Sequence, residues 1–112
     1  MFDTSVRDQA IRDQRERLEQ ERCQVLARVR SALEQMRAEL GIREAFVIGS
    51  LVQPDRWDAR SDVDVAVGAA AAVVLEIARR LEEITGRDVD VIDLDAHPRP
   101  GGVRSRGVRV YG

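Results

Sequence analysis

The chain contains no lysine, a single cysteine, three prolines and four aromatic residues in 112 positions. Each shortage excludes something. With Cys23 alone, no internal disulfide can form, and the chain suits a reducing compartment. With Phe2, Phe46, Trp57 and Tyr111 as the whole aromatic set, the core must be aliphatic. No apolar run approaches the ~20 residues needed to span a bilayer. The N-terminal stretch carries no apolar signal core, so a cytoplasmic protein is expected. No internal repeat and no low-complexity linker is visible. The missing lysine makes all 18 basic residues arginine, a bias of coding more than of function.

What is present is a soluble, charged, single-domain composition. The length matches one domain, and a chain of this size hides roughly two thirds of its unfolded surface. Hydrophobic residues make up 44% and charged residues 34%, with a net charge of −2. The charge is unevenly placed. Residues 44–96 hold twelve acids and five arginines, and residues 97–112 hold four arginines and no acid. An acidic centre suits a divalent cation, and a basic tail suits phosphate or a polyanion; solvated surface is the plainer reading of both.

Ser5-Val6-Arg7-Asp8 reads as a capping box, and no Gly or Pro follows until Gly41. The spacing predicts one long N-terminal helix with two unlike halves. Leu26, Val29, Leu33, Met36 and Leu40 follow helical spacing and should pack on the domain. Residues 5–25 are too polar for core. Asp8 with Arg12 and Asp13 with Arg17 are i,i+4 pairs, while Ile11, Leu18 and Val25 form a thin seam. That half is a protruding solvated helix, or a helix that meets a partner or a second copy of the chain.

Strands are expected over Ala45–Ile48, Ser61–Val67 and Asp88–Leu94, with a short one over Val108–Tyr111. A helix is expected over Ala69–Thr85, with an apolar stripe of Val74, Leu75, Ala78, Leu81 and Ile84 and a stop at Gly86. Leu51–Arg60 reads as a loop starting with one helical turn and limited by Pro54, and His97–Gly102 as a second loop. The expected architecture is α/β: one small mixed sheet with helices on one face, preceded by the long helix. It forms a single domain over residues 1–112, with its core in 26–111.

The chemistry concentrates in residues 46–67. Phe46-Val47-Ile48 is an apolar run that breaks at Gly49-Ser50. Eleven residues, Leu51 to Ser61, separate this turn from Asp62-Val63-Asp64. Strand alternation puts Asp62 and Asp64 on one face, where two carboxylates repel unless a cation lies between them. Asp90, in a strand of similar pattern, is the best-placed third carboxylate, with Asp88 on the same face. Aspartate is a poor strand former, so these four residues in two apolar strands require compensation, and metal is the economical one. Mg²⁺ favours a few carboxylates plus substrate phosphates. Gly49 lets backbone N–H groups approach an anion, and the Ser50 hydroxyl can donate to it.

Gly49-Ser50, the spacer, Ser61-Asp62-Val63-Asp64, a helix and then Val89-Asp90-Val91 together resemble the DNA polymerase β-like nucleotidyltransferases. The pattern is closest to their minimal branch, and the resemblance spans residues 26–111, including the Val-Arg-Val-Tyr-Gly ending. It implies a polymerase β-like fold, two Mg²⁺ on a carboxylate triad, and transfer of a nucleoside monophosphate from an NTP to a hydroxyl. By position, Asp62 and Asp64 would hold both metals, Asp90 would complete the triad near the acceptor hydroxyl, and Gly49 and Ser50 would hold the β/γ-phosphates of ATP. Many minimal members serve as antitoxin to a helical HEPN partner, and some adenylylate a tyrosine on it. This chain departs from the pattern where an Arg often follows Gly-Ser. Here Leu51-Val52-Gln53-Pro54 follows, and Arg60, or else Arg56, is left to supply the charge.

The remaining residues are open to two readings each. Trp57 stacks on a base or meets a partner, or else pins its loop to the domain. His97 reads as a bystander and Cys23 as a helix-packing residue. Arg104, Arg106 and Arg109 face phosphates of substrate or RNA, or are strand-edge charge. The leading function is Mg²⁺-dependent AMP transfer from ATP to a partner protein. The alternatives are an antitoxin acting by contact alone and, less favoured, transfer to a small hydroxylated molecule of the aminoglycoside type.

Overall fold

A computed structural model describes residues 5–112; Phe2 lies outside them. The order is α1 (Ser5–Leu40), β1 (Glu44–Ile48), β2 (Val63–Gly68), α2 (Ala71–Thr85), β3 (Val89–Asp93), α3 (Pro100–Arg106) and β4 (Val108–Tyr111). The four strands form one sheet in the order β3-β2-β1-β4. β1 runs antiparallel to both β2 and β4, and β2 runs parallel to β3 through the α2 crossover. This is the mixed α/β sheet that the sequence pattern predicts. Among the described residues no helix is long and apolar enough to cross a membrane.

Strand alternation divides the apolar residues between the two faces. Ala45, Val47, Val63, Val65, Val67 and Val89 pack in one cluster with Val29, Leu33 and Met36 of α1 and Ile77 and Leu81 of α2. Phe46 and Ala66, out of phase with that set, join Leu94 and Val103 in a second, smaller cluster on the other face. Both long helices thus cover one face, as expected, and among the described residues α3 and Leu94 cover the other. α3 takes in part of the stretch read as a loop. Pro and Gly argue against a helix interior, but Pro100 sits in the first turn, where its missing N–H costs nothing, and Val103 anchors the helix by full burial.

α1 runs 36 residues, about 54 Å at ~1.5 Å per residue, and accounts for most of the 63 Å long axis. It stops where Gly41 takes φ +65° and Ile42 N–H bonds back to the Arg37 carbonyl at 3.0 Å. Val6 and Ile11 stand in solvent. Contact with the domain begins at Leu18, earlier than the hydrophobic spacing implies, and Arg22 and Val25 are already buried. The expected Asp8–Arg12 and Asp13–Arg17 pairs do not form; Asp13 instead accepts from Gln9 at 2.8 Å. Such exposed pairs are worth only tenths of a kcal/mol, so a neighbouring amide displaces them. Cys23 is exposed rather than packed, one position round from the buried face. On α2 the buried stripe runs through Ile77 and Leu81, and Leu75 is 80% exposed, because 73, 77 and 81 keep the closer i,i+4 register.

β4 is tied to α1 by its last side chain. The Tyr111 hydroxyl donates to the Leu33 carbonyl at 2.9 Å, and Arg37 lies over the ring. Burial, reinforced by Glu34, pushes the phenol up to about 12 from its ordinary 10.0. Because the folded value lies above the unfolded one, the phenol's contribution is complete below pH 10 and is lost as pH rises through about 12. Tyr111 is the only tyrosine and no lysine titrates beside it. Phenolate absorbance of the folded protein should therefore show one transition near pH 12, coincident with alkaline unfolding. Tyr111→Phe should cost about 1 kcal/mol at neutral pH and remove this phase; a phenol titrating near 10 would contradict the burial.

Candidate active site

The carboxylates lie on the face of the sheet that α1 and α2 leave uncovered. Val63, Val65 and Val67 turn to the helices and are fully buried. Asp64, between them, points the other way. Its register partners are Ile48 across the antiparallel pair and Asp90 across the parallel pair. Asp62 precedes β2 and is exposed, as is Asp90, while Asp64 is half-buried.

Asp64 lies within reach of the charges of the other two. Burial raises the Asp64 carboxyl above its ordinary range, and the charges of Asp90 and then Asp62 raise it further. Asp88 does not contribute. It lies just before β3, where its carbonyl accepts from Val63 N–H at 2.9 Å. The sheet therefore brings Asp62 and Asp90 to bear on Asp64, and Asp88, one position before its paired residues, follows Asp62 in the same register. Among the described residues no three acidic, His or Cys side chains are drawn in tightly enough to form a ready-made metal cage. The cluster is an open, all-oxygen set in which burial and like charge act against the ionised form of Asp64.

The glycine turn abuts this cluster. Gly49 has φ +71°, and a Cβ built on it would stand 2.6 Å from Asp64 Oδ2. Glycine is thus required twice, for the left-handed backbone and for the approach to the carboxylate. Gly49–Val52 forms a single 3-10 turn in which Gln53 N–H bonds to the Ser50 carbonyl at 3.0 Å. So short a turn adds little of the helix dipole that a longer start after Ser50 would supply.

The loop holds no cation on this turn. Arg56 and Arg60 are exposed, and neither side chain has a partner among the described residues. Arg60 contributes its backbone instead, its N–H bonding to Asp58 Oδ1 at 2.7 Å. Trp57 is buried, and Arg87 lies over its ring at 4.2 Å, so the side chain anchors the loop and has no open face for a base. His97 Nδ1 accepts from Arg99 N–H at 2.9 Å, closing a turn. In the tail, Arg104 Nε donates to Glu44 at 2.7 Å and Arg109 lies over Phe46; Arg106 is exposed.

Two residues near the site escape a motif-based reading. Arg22 is the one buried charged residue among those described, and its Nη1 donates to the Leu51 carbonyl at 2.9 Å. Arg87 Nη1 donates to the Ser61 carbonyl at 2.7 Å and pairs with Glu21. A signal existed for the first: positions 18, 22, 25 and 29 fall on one helix face, so Arg22 occupies a core-facing position with Glu19 three residues before it. For Arg87, after the Gly86 stop, there was none.

A carboxyl held above its ordinary range destabilises the folded state wherever it is ionised. The sign is that of a raised acid: the folded chain binds the proton more tightly, so stability falls as pH rises through the Asp window. In chelator at neutral pH, Asp64→Asn should raise the melting temperature by about 2 °C. Gly49→Ala should lower stability by about 1–2 kcal/mol. Thermal melts with both variants check this pair; an Asp64→Asn variant less stable than the wild type would show that the carboxylate is relieved by a partner.

A family model for the polymerase β nucleotidyltransferase domain matches residues 32–103, more than half the chain. Nothing among curated proteins matches. Among solved structures, a toxin–antitoxin with AMP-PNP superposes with a TM-score of 0.62 at 23% identity, covering 74% of this chain and 73% of the other. The MntA–HepT toxin–antitoxin gives 0.57 at 21% identity, covering 78% and 72%. A tri-AMPylated HEPN toxin from Shewanella oneidensis in complex with its MNT antitoxin gives 0.56 at 21%, covering 79% and 72%. At these identities the structures speak for the fold, and the family model carries the assignment: the chain belongs to the polymerase β nucleotidyltransferase family.

Proposed function

We propose that the protein is a Mg²⁺-dependent nucleotidyltransferase that moves AMP from ATP to a hydroxyl of a partner protein, as the antitoxin of a HEPN/MNT-type pair. The observation that carries this reading is the alignment of Asp64 with Asp90 across the parallel strands, with Gly49 pressed against Asp64. The family supplies the reaction class. AMP-PNP in one structural relative and an AMPylated HEPN toxin beside another support the nucleotide and the acceptor.

In this reading Asp62 and Asp64 would hold two Mg²⁺, and Asp90 would complete the set. The metal, when bound, would neutralise the carboxylates and the charge that develops on the transferred phosphoryl group. Gly49 and Ser50 face the β- and γ-phosphates with backbone N–H and hydroxyl donors. The acceptor oxygen forms a bond to the α-phosphorus, the α–β bridging P–O bond breaks, and pyrophosphate leaves. Asp90 takes the hydroxyl proton. The open face of the sheet leaves room for a second protein to bring in that hydroxyl, since within the described residues only α3 and Leu94 cover it.

A second reading is favoured by one feature: among the described residues no arginine of the loop turns its side chain onto Gly49-Ser50, and Arg22, which reaches the turn from α1, is spent on the Leu51 carbonyl and Glu19. The protein would then neutralise its partner by contact. Incubating the protein with a co-purified partner, Mg²⁺ and labelled ATP separates the two. AMP transfer should fall at least a hundredfold in Asp62→Asn/Asp64→Asn, roughly the loss of a metal-binding carboxylate pair. Transfer that survives the double substitution would place the chemistry elsewhere. Neutralisation that persists in the complete absence of transfer would favour the contact reading.

A further inference from the structure

The two halves of the site are joined by a loop with little packing of its own. Between Leu51 and Ser61 only Leu51 and Trp57 are buried. The strands locate Ile48 and Asp64, but Ser50 and Asp62 lie outside them. Something else must hold those two residues in place.

Two arginines meet this need in the same way. Arg22 Nη1 donates to the Leu51 carbonyl at 2.9 Å, in the Leu51–Val52 peptide, the second one after Ser50. Arg87 Nη1 donates to the Ser61 carbonyl at 2.7 Å, the peptide before Asp62, with the Ala59 carbonyl at 3.4 Å. Each is held in turn by an acid of α1. Glu19 receives Arg22 through both oxygens, at 2.9 and 2.5 Å, and Glu21 receives Arg87. Arg87 also lies over the Trp57 ring, so the one grip covers the loop's anchor as well as its end. Charge-assisted bonds of this kind, one of them buried, are stronger and more directional than neutral ones.

We propose that Arg22 and Arg87 are positioning residues of the nucleotidyl-transfer site. Arg22 sets the phosphate-facing turn, Arg87 sets Asp62, and the 19–22 segment of α1 holds both. The proposal rests on the function proposed above. It divides the labour: Arg22 acts through the groups that meet the β- and γ-phosphates, and Arg87 acts through a metal-binding carboxylate.

Trp57, the only tryptophan, lies in the loop, and its fluorescence reports the site; calorimetry gives an independent affinity. Arg22→Met should weaken Mg-ATP binding about tenfold while leaving AMP binding unchanged, because AMP lacks the outer phosphates. Arg87→Met should instead raise the Mg²⁺ concentration needed for half-maximal ATP binding. Arg22→Lys should recover part of the loss. Glu19→Gln and Glu21→Gln loosen each arginine without emptying its space and should give the same two patterns in weaker form, whether or not the Met variants fold. Wild-type binding in the folded variants overturns the proposal. So does an equal loss of ATP, AMP and Mg²⁺ response that merely follows the melting temperature. A wild-type protein that binds no Mg-ATP overturns the proposed function itself, a result visible before any variant is made.

Discussion

The contact between the Gly49 backbone and the Asp64 carboxylate depends on antiparallel pairing of β1 with β2, which sets Ile48 opposite Asp64. That register has no freedom to slip. A slip of β2 by one residue would turn Val63, Val65 and Val67 out of the core and Asp64 into it. The hydrophobic face under α1 and α2 therefore specifies, through strand alternation, where the carboxylate points on the opposite face. The site's geometry is a consequence of packing it never touches.

The same arrangement concentrates cost. Asp64 is half-buried beside two other acids, and both effects act against its ionised form. A natural core of this size keeps such a cluster only where the remaining interactions over-determine it. Here the fully buried Val63, Val65 and Val67 flank the carboxylate along one strand, and Ile77 and Leu81 close over them. The cost is local, confined to the face that α1 and α2 leave open.

Strand positions and the carboxylate set were legible in the sequence because both follow from a period of two with chemically conspicuous residues. Asp62, Asp64 and Asp90 stand out as polar residues in apolar strands. Asp88 stood out equally; pairing places Asp90 beside Asp64 and leaves Asp88 one step back, level with Asp62. α3 was hidden by its composition, a Pro-Gly-Gly start stabilised by a single long-range contact of Val103. The roles of Arg22 and Arg87 were hidden for a different reason. Their partners are backbone carbonyls 29 and 26 residues away, and a carbonyl has no sequence signature.

The absence of lysine, which in composition alone is a coding bias, has a structural meaning at these two positions. Arg22 must satisfy a carboxylate through two donors and a carbonyl through a third, all in one plane. Arg87 must lie flat over an indole while donating to carbonyls at its edge and pairing with Glu21. A guanidinium does both because its donors are fixed in a fork and its face is weakly hydrated; an ammonium, a compact and strongly hydrated point charge, replaces the first only in part and the second not at all. Elsewhere on the surface, as at Arg43 with Asp95, an exposed single-donor pair would serve nearly as well with lysine. The distinction separates arginines that happen to be arginine from those the site geometry requires, and it draws the middle of α1, polar as it is, into the working part of the molecule.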